Sequence, residues 1–310
     1  MALKQFIYCA WWWFRAFFLG RRKPLQSVVF ISDKCNLSCR HCSVYNHEAP
    51  QSKTWDQIRE ELLFCYSEGS RFVDFEGGEP FIWDDPTHLV DGRPADVNDL
   101  CDLAHELGFF SCTITTNAQL PFPDSHADSI WVSLDGLGKY HDAVRGEGTF
   151  ARLEKNVASC GHKALSVSMS VNTLNMDSIE EVLDYVKASP YIKSIAFNFH
   201  TPFEGTEYLT LPQDVREKAI DTIIAYKKKG YPIMNSRSGL KRMKHLDFKK
   251  RCWISNYVFT DGTKLPSCPG YLTGACEQCG FSMAGEMDAV FHFCPDTILA
   301  GMDLRLPEKK

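Results

Sequence analysis

From Ser27 onward, short runs of β-branched and aromatic residues alternate with longer stretches of helical period, and this limits the available folds more than any other feature. The strand candidates are 27–32 (SVVFIS), 71–76, 109–116, 129–134, 164–171 and 193–199, with a weaker seventh at 231–236. Helical patterns lie between them at 54–69, 96–108, 149–161, 178–190 and 211–230. Gly69, Gly108, Gly161 and Gly230 stand where those helices should end, since glycine readily takes the left-handed conformation of a helix C-terminus. Strands separated by helices of this length pair in parallel through crossovers. The spacing predicts an α/β chain, and the number of units favours a βα barrel over a doubly wound sheet. In such barrels the chemistry collects at the C-terminal ends of the strands.

Of the 310 residues, 44% are hydrophobic and 24% charged, which supports one large buried core. The net charge of −5, with no basic stripe, sets nucleic acid aside as a partner. Thirteen cysteines, an odd number dispersed through a long chain, point to metal or redox use in a reducing cytoplasm, not to a disulfide scaffold.

The chain divides into three parts. Residues 1–24 carry FIYCAWWWFRAFFLG followed by Arg21, Arg22, Lys23 and Pro24. The apolar part, 6–19, would make a helix of roughly 21 Å, short of the ~30 Å hydrocarbon core of a bilayer. No small-residue cleavage site follows, so the segment does not read as a signal peptide. Tryptophans beside a basic cluster suit a helix lying in the inner face of a membrane, a peripheral placement. The alternatives are a helix packed across one end of the domain, or a dimer contact. Residues 25–246 hold the βα units. Residues 247–310 are rich in Gly, Cys and turn residues and read as a small metal-stapled extension, not a further βα unit.

The loop after the first strand candidate contains Cys35, Cys39 and Cys42. Three thiolates are one short of a zinc finger or an ordinary ferredoxin cluster. A cubane of four irons held by three thiolates leaves one iron free to bind something else. The spacing CxxxCxxC resembles that of the radical S-adenosylmethionine (radical SAM) superfamily, in which that iron chelates the methionine end of SAM. His41 stands where the family has an aromatic residue. GGEP at Gly77, Gly78, Glu79 and Pro80 resembles the family motif that receives the methionine ammonium. TTNA resembles the third-strand motif, placing Thr115 and Asn117 on one inward face. VSLDG supplies Ser133 and Asp135, HDAVRG supplies Arg145, and MSVNTL supplies Asn172 where the family often touches the nucleoside. The resemblance covers about 27–240. It implies a partial (β/α)6-type TIM-like barrel, a [4Fe-4S] cluster, and reductive cleavage of SAM to a 5′-deoxyadenosyl radical. It also implies an electron donor such as flavodoxin or ferredoxin.

In the extension, Cys276-x-x-Cys279 is a chelating spacing that Cys252 and Cys268 would complete to four thiolates. This resembles the extensions that carry an auxiliary iron–sulfur cluster in many radical SAM enzymes; structural zinc is the alternative. Cys294 is either a fifth ligand or a buried thiol. Cys112 alternates away from Thr113 and Thr115 and should face the helices.

The chain is also similar to the hopanoid-lipid radical SAM enzymes that transfer an adenosyl group. The shared features are an N-terminal helix with a basic cluster, Ser236-x-Ser238, a spread cysteine set ending in CxxC, and MDAV at 287–290. It departs from them in the extra Cys294 and the shorter segment between Cys268 and Cys276. That similarity, with the aromatic N-terminus, implies a membrane lipid or isoprenoid substrate, modified by hydrogen abstraction or adenosyl addition. The alternative is a peptide or protein maturase. Asn198, His200 and Glu204, at the end of a late strand, are the candidates for facing the substrate.

Overall fold

The computed structural model describes residues 2–44 and 49–305; the last five residues of the extension lie outside the described residues. Helix α1 (Ala2–Phe18) precedes β1 (Gln26–Ser32), α2 (Trp55–Glu68) and β2 (Phe72–Gly77). A hairpin, β3 (Asp84–Val90) and β4 (Arg93–Asp96), leads into α3 (Val97–Glu106) and β5 (Ser111–Thr116). Then come β6 (Ser129–Ser133), α4 (Lys139–Arg145), α5 (Thr149–Ser159), β7 (Leu165–Val171), α6 (Ile179–Ala188) and β8 (Ile195–Phe199). Helices α7 (Gln213–Lys228) and α8 (Arg237–Arg242) follow. The extension holds β9 (Ser255–Val258), β10 (Lys264–Leu265), α9 (Gly270–Thr273), α10 (Met283–Phe291) and α11 (Pro295–Arg305).

One eight-stranded sheet runs β10-β9-β1-β2-β5-β6-β7-β8, and every pairing is parallel except β10 with β9. The six strands β1 to β8 of this sheet form the expected partial barrel. Val73, Phe75, Ile114, Val132 and Val167 face outward into a core with Ile58 and Leu62 of α2, Leu100 of α3 and Leu183 of α6. The helix ends are set locally. Thr54 and Gln57 form a capping box at the start of α2, Asp96 and Asp99 form one at α3, and Gly69 ends α2 in the left-handed region.

The weak seventh strand candidate is not a strand. Within 231–236 only Ile233 bridges to Ile195. The reason lies next door: the Asn235 side chain accepts from the Phe197 N–H (2.7 Å) and donates to the Phe197 carbonyl (3.0 Å). A side-chain amide thus occupies the place of a backbone ladder. Conversely, the extension is less separate than its composition suggests. Strand β9 pairs with β1, so the extension extends the sheet. At the other edge, Phe199 N–H donates to the Gly280 carbonyl (2.8 Å), Gly280 N–H to Thr201 Oγ1 (2.8 Å), and Ser282 N–H to Asn198 Oδ1 (3.0 Å). The extension therefore reaches both open edges of the partial barrel.

The Ser-x-Ser and MDAV segments are docking elements. Ser236 N–H and Oγ–H donate to Glu286 (2.8 and 2.6 Å), and Ser238 does the same to Asp296 (3.0 and 2.7 Å). Asp288 accepts from Arg242 (2.6 Å) and pairs with Arg251.

Helix α1 packs across the end of the barrel where the strands begin. Gln5 Nε2 donates to the Phe110 carbonyl (3.1 Å), Tyr8 to the Gly69 carbonyl, and Trp12 Nε1 to the Lys23 carbonyl (2.7 Å). Trp12 also lies against Trp253, ring centroids 5.6 Å apart. Its other face, Leu3, Phe6, Ile7, Trp11, Phe14 and Phe18, is exposed. Among the described residues no helix is long and apolar enough to cross a membrane.

Gly280 tests the seam. A Cβ there would overlap the Phe199 carbonyl, which belongs to a strand and cannot retreat. Gly280→Ala should cost about 2–3 kcal/mol, the scale of forced overpacking. Urea denaturation would show it as a lower midpoint, with the extension released early in limited proteolysis; an unchanged midpoint would mean that the seam does not hold the extension.

Candidate functional site

The loop 33–44 leaves β1 and is tied down from three sides. Gly78 N–H donates to the Ser32 carbonyl (2.7 Å) and Glu79 N–H to the Lys34 carbonyl (2.8 Å). Arg40 N–H donates to the Val144 carbonyl (3.0 Å), and Asn117 Nδ2 to Asn36 Oδ1 (2.8 Å). The glycines of GGEP are required by this proximity. A Cβ on Gly77 would overlap the Ser32 carbonyl and one on Gly78 the Lys34 carbonyl; Gly77 also has φ +155°.

Cys35, Cys39 and Cys42 come together on this loop. Cys35 feels the charge of Cys42, Cys39 that of both other thiols, and burial, the largest cause, pushes Cys39 up to about 11 despite Arg145. A thiol buried this way stays protonated unless a metal cation supplies compensating charge, which is the donor set an iron–sulfur cluster needs. Two donors point at the sulfurs: Asn117 Nδ2 lies 3.7 Å from Cys35 Sγ and Arg145 Nη1 3.8 Å from Cys39 Sγ. Arg145 is itself held by Asp135 (2.6 Å), whose other oxygen accepts from Ser170 N–H (2.8 Å). His41 Nε2 stands 3.5 Å from Asp135, and burial lowers its pKa to about 4, so it is a neutral imidazole.

Glu79 differs from its expected role. The side chain is 1% exposed, and both oxygens accept internal donors: Thr116 Oγ1 (2.8 Å), Asn117 N–H (2.8 Å) and Phe81 N–H (3.2 Å). Its carboxylate fastens the GGEP turn to the end of β5, leaving half-exposed Gly77 and Gly78 at the surface of the site. Asn172, expected to face a nucleoside, is 0% exposed; it donates to the Ser170 carbonyl (3.0 Å) and accepts from Leu174 N–H (2.9 Å). It caps the end of β7.

The inner face of the barrel is mixed: Val28 and Phe30 of β1, Trp131 of β6 and Tyr257 of β9 share it with a row of polar residues. Asp74, Glu76, Thr115, Ser133, Ser168 and Ser170 alternate with the outward core residues and are all half-exposed. Glu76 escaped the sequence reading, although an Asp-x-Glu pair at period two in an apolar strand signals it. Burial, reinforced by Asp74, pushes it up to about 7, and Thr115 Oγ1 approaches it at 3.5 Å.

The substrate candidates do not converge. Asn198 is engaged by Ser282 of the extension, and His200, 4% exposed, bonds Thr206 (3.1 and 3.0 Å). Glu204 is exposed on the following loop.

Cys252, Cys268, Cys276 and Cys279 form a second group: burial raises Cys252 to about 12, with the charges of the other three adding to it. Cys294 stands apart, beside Arg242. Four thiolates suit either a structural zinc or a second iron–sulfur cluster. Cys112 faces outward toward His105 of α3, as alternation predicts.

Glu79 carries a structural prediction. Removing its carboxylate strands three buried donors, so Glu79→Ala should cost about 3 kcal/mol and Glu79→Gln about half of that. Thermal unfolding of the two variants measures the difference; equal, small losses would show that the carboxylate does not fasten the turn.

The Radical SAM superfamily signature matches residues 29–185. Pre-heme d1 synthase of Dinoroseobacter shibae is 26% identical over 171 residues, 53% of this chain; the match spans 41% of that protein, well under half its length. Two sets of solved structures share the fold. Streptococcus suis SuiB bound to S-adenosylmethionine superposes with a TM-score of 0.61 at 19% identity, over 92% of this chain and 68% of that one. SuiB has also been solved bound to the precursor peptide SuiA. The enzyme anSMEcpe with bound AdoMet and Kp18Cys peptide gives a TM-score of 0.59 at 17% identity, over 92% and 84%.

Proposed function

The chain belongs to the radical SAM superfamily, and from that premise we propose that it modifies a peptide or protein substrate whose reacting residue enters the barrel. The family works with a [4Fe-4S] cluster and S-adenosylmethionine, and the chain is an enzyme. The polar part of the lumen wall carries the choice of substrate class. A triterpene or polyprenyl chain pressed against Glu76, Thr115 and Ser168 would strip water from a carboxyl and hydroxyls without replacing their hydrogen bonds. A peptide brings its own donors and acceptors to such a wall. That two structural neighbours were solved with peptides agrees with this reading.

In this reading Cys35, Cys39 and Cys42 hold the [4Fe-4S] cluster, which when bound supplies the electron for reductive cleavage of the SAM sulfonium. Asn117 and Arg145 direct hydrogens at two of the thiolates and so favour their charged state. Asp135 keeps Arg145 in place and neutralises it. Gly77, Gly78 and Pro80 admit the amino-acid end of SAM close to the backbone, while Thr115 and Ser133 face its ribose from the lumen wall. Neutral His41 adds no charge beside Arg145. Cys252, Cys268, Cys276 and Cys279 hold a second iron–sulfur cluster at the seam that closes the barrel, and a flavodoxin or ferredoxin supplies electrons.

The exposed face of α1 favours a second placement, peripheral on an anionic membrane surface. Leu3, Phe6, Ile7, Trp11, Phe14 and Phe18 recur at helical spacing, with Arg21, Arg22 and Lys23 exposed directly after. This face lies at the opposite end of the barrel from the cysteine loop, so it locates the enzyme without delivering a lipid to the site.

Two experiments test these readings. Anaerobically reconstituted protein with dithionite and SAM should release 5′-deoxyadenosine, and Cys35→Ala, Cys39→Ala or Cys42→Ala should reduce release to background. Release stimulated by a cytoplasmic peptide fraction, with a mass change on a peptide, supports the substrate class. Stimulation by a lipid extract, with an adenosyl mass on a lipid, would replace it with the lipid reading. Flotation with anionic liposomes should carry the wild type upward and leave the Phe14→Glu/Phe18→Glu variant at the bottom; a wild type that does not float rules out the membrane placement.

A further inference from the structure

A third cluster of metal-ligating side chains lies away from both cysteine groups. Cys112 is the second residue of β5, His105 is in the last turn of α3, and Asp128 immediately precedes β6. All three sit where strands begin; the opposite end of β5 carries Asn117 and contacts the cysteine loop. His105 Nε2 is 3.0 Å from Asp128 Oδ2 and 3.8 Å from Cys112 Sγ, and the three ligand atoms lie within 4.8 Å of one another.

The arrangement is not that of a proton relay. In a relay the imidazole uses one nitrogen for the thiol and the other for the carboxylate. Here a single nitrogen, Nε2, faces both, and one hydrogen cannot serve two acceptors on different sides equally well. Three ligand atoms mutually within 4.8 Å, one from each side chain, are close enough to share an ion. Bond lengths of about 2.0–2.3 Å and a tetrahedral angle place N and O ligands roughly 3.3 Å apart, and N and S roughly 3.6 Å apart. The observed spacings bracket those values, so little movement would be needed. Cys101 of α3, buried like Cys112, lies outside this group of ligand atoms.

We propose that His105, Cys112 and Asp128 bind a divalent metal ion, with solvent completing its shell. The mixed sulfur, imidazole and carboxylate set suits zinc. The ion joins the end of α3, the start of β5 and the start of β6. Two bonds already register that corner: Cys112 N–H donates to the side-chain Oδ2 of Asp128 (2.7 Å), and Asp128 N–H donates to the Cys112 carbonyl (2.9 Å). The site is structural: it joins three elements at the end of the strands away from the cysteine loop.

The test uses full-length protein with its iron loaded anaerobically, then supplied with zinc chloride and passed over a chelating resin. Elemental analysis should find close to one zinc per chain beside the full iron complement. His105→Gln, Cys112→Ser and Asp128→Asn should each lower retained zinc at least tenfold and leave iron unchanged. Zinc K-edge absorption of the wild type supplies a reading that does not depend on how the variants fold: one sulfur neighbour with nitrogen and oxygen completing the shell. Absence of retained zinc, a shell of four sulfurs as the extension would give, or variants that keep their zinc would each overturn the proposal.

Discussion

The site depends on one buried carboxylate. Glu79 accepts from Thr116 Oγ1 and the Asn117 and Phe81 N–H groups, while its own N–H and that of Gly78 reach back to Lys34 and Ser32. Three segments distant in sequence, the end of β1, the GGEP turn and the end of β5, are thereby locked at one point. Without that lock the loop bearing Cys35, Cys39 and Cys42 would have ordinary loop freedom, and the entropy of gathering three thiolates would fall on metal binding alone. With it, Asn117 is delivered to Cys35 by the same bonds that hold the turn. The two glycines are the steric condition for the approach, since any side chain there would displace the loop they support.

Much of this was legible in the sequence, and what was not has identifiable causes. Period-two alternation placed Thr115 and Asn117 on one face and Cys112 on the other, because a strand buried on its outer side admits no other register. The six barrel strands were readable for the same reason. The run 231–236 misled because local composition cannot reveal that Asn235 will turn its amide onto Phe197 and replace the ladder. Asn172 and Glu79 are a different case. Both occupy positions a ligand would use, and which buried donors reach them first is a tertiary fact. Glu76 stood in plain sight between Phe75 and the glycines, but its significance lies in Asp74 sharing the lumen wall, a reading that needs the other strands closed around it.

The two ends of the barrel are built for different surroundings. Where strands end, the residues are polar, the loops are long, and thiols, an arginine–aspartate pair and a neutral histidine crowd together. Where strands begin, α1 covers the barrel with one apolar face and presents another to the outside. A helix apolar on both sides costs solubility unless something covers the second face. The backbone anchors from Gln5, Tyr8 and Trp12 fix the helix rotation, so the exposed stripe is a consequence of docking and not of loose packing.

The extension explains why a partial barrel suffices. An open parallel sheet leaves two strand edges with unpaired backbone groups and a lateral gap through which water enters. Here β9 satisfies one edge at β1; at β8, residues 232–235 take the backbone of Ile195 and Phe197, and Gly280 of the extension takes the Phe199 N–H. Cys252 precedes the first of these contacts by three residues and Cys279 directly precedes the last, so the four-thiol group sits where the chain crosses the gap. Arg216 binds the Cys279 carbonyl (2.7 Å), and the Asp288 pairs with Arg242 and Arg251 anchor α10 behind it. Metal binding by these thiols would tie both edges together through one centre. Folding of the extension, closure of the barrel and occupancy of that centre are then a single coupled equilibrium, in which the metal's binding free energy keeps the lumen shut against solvent.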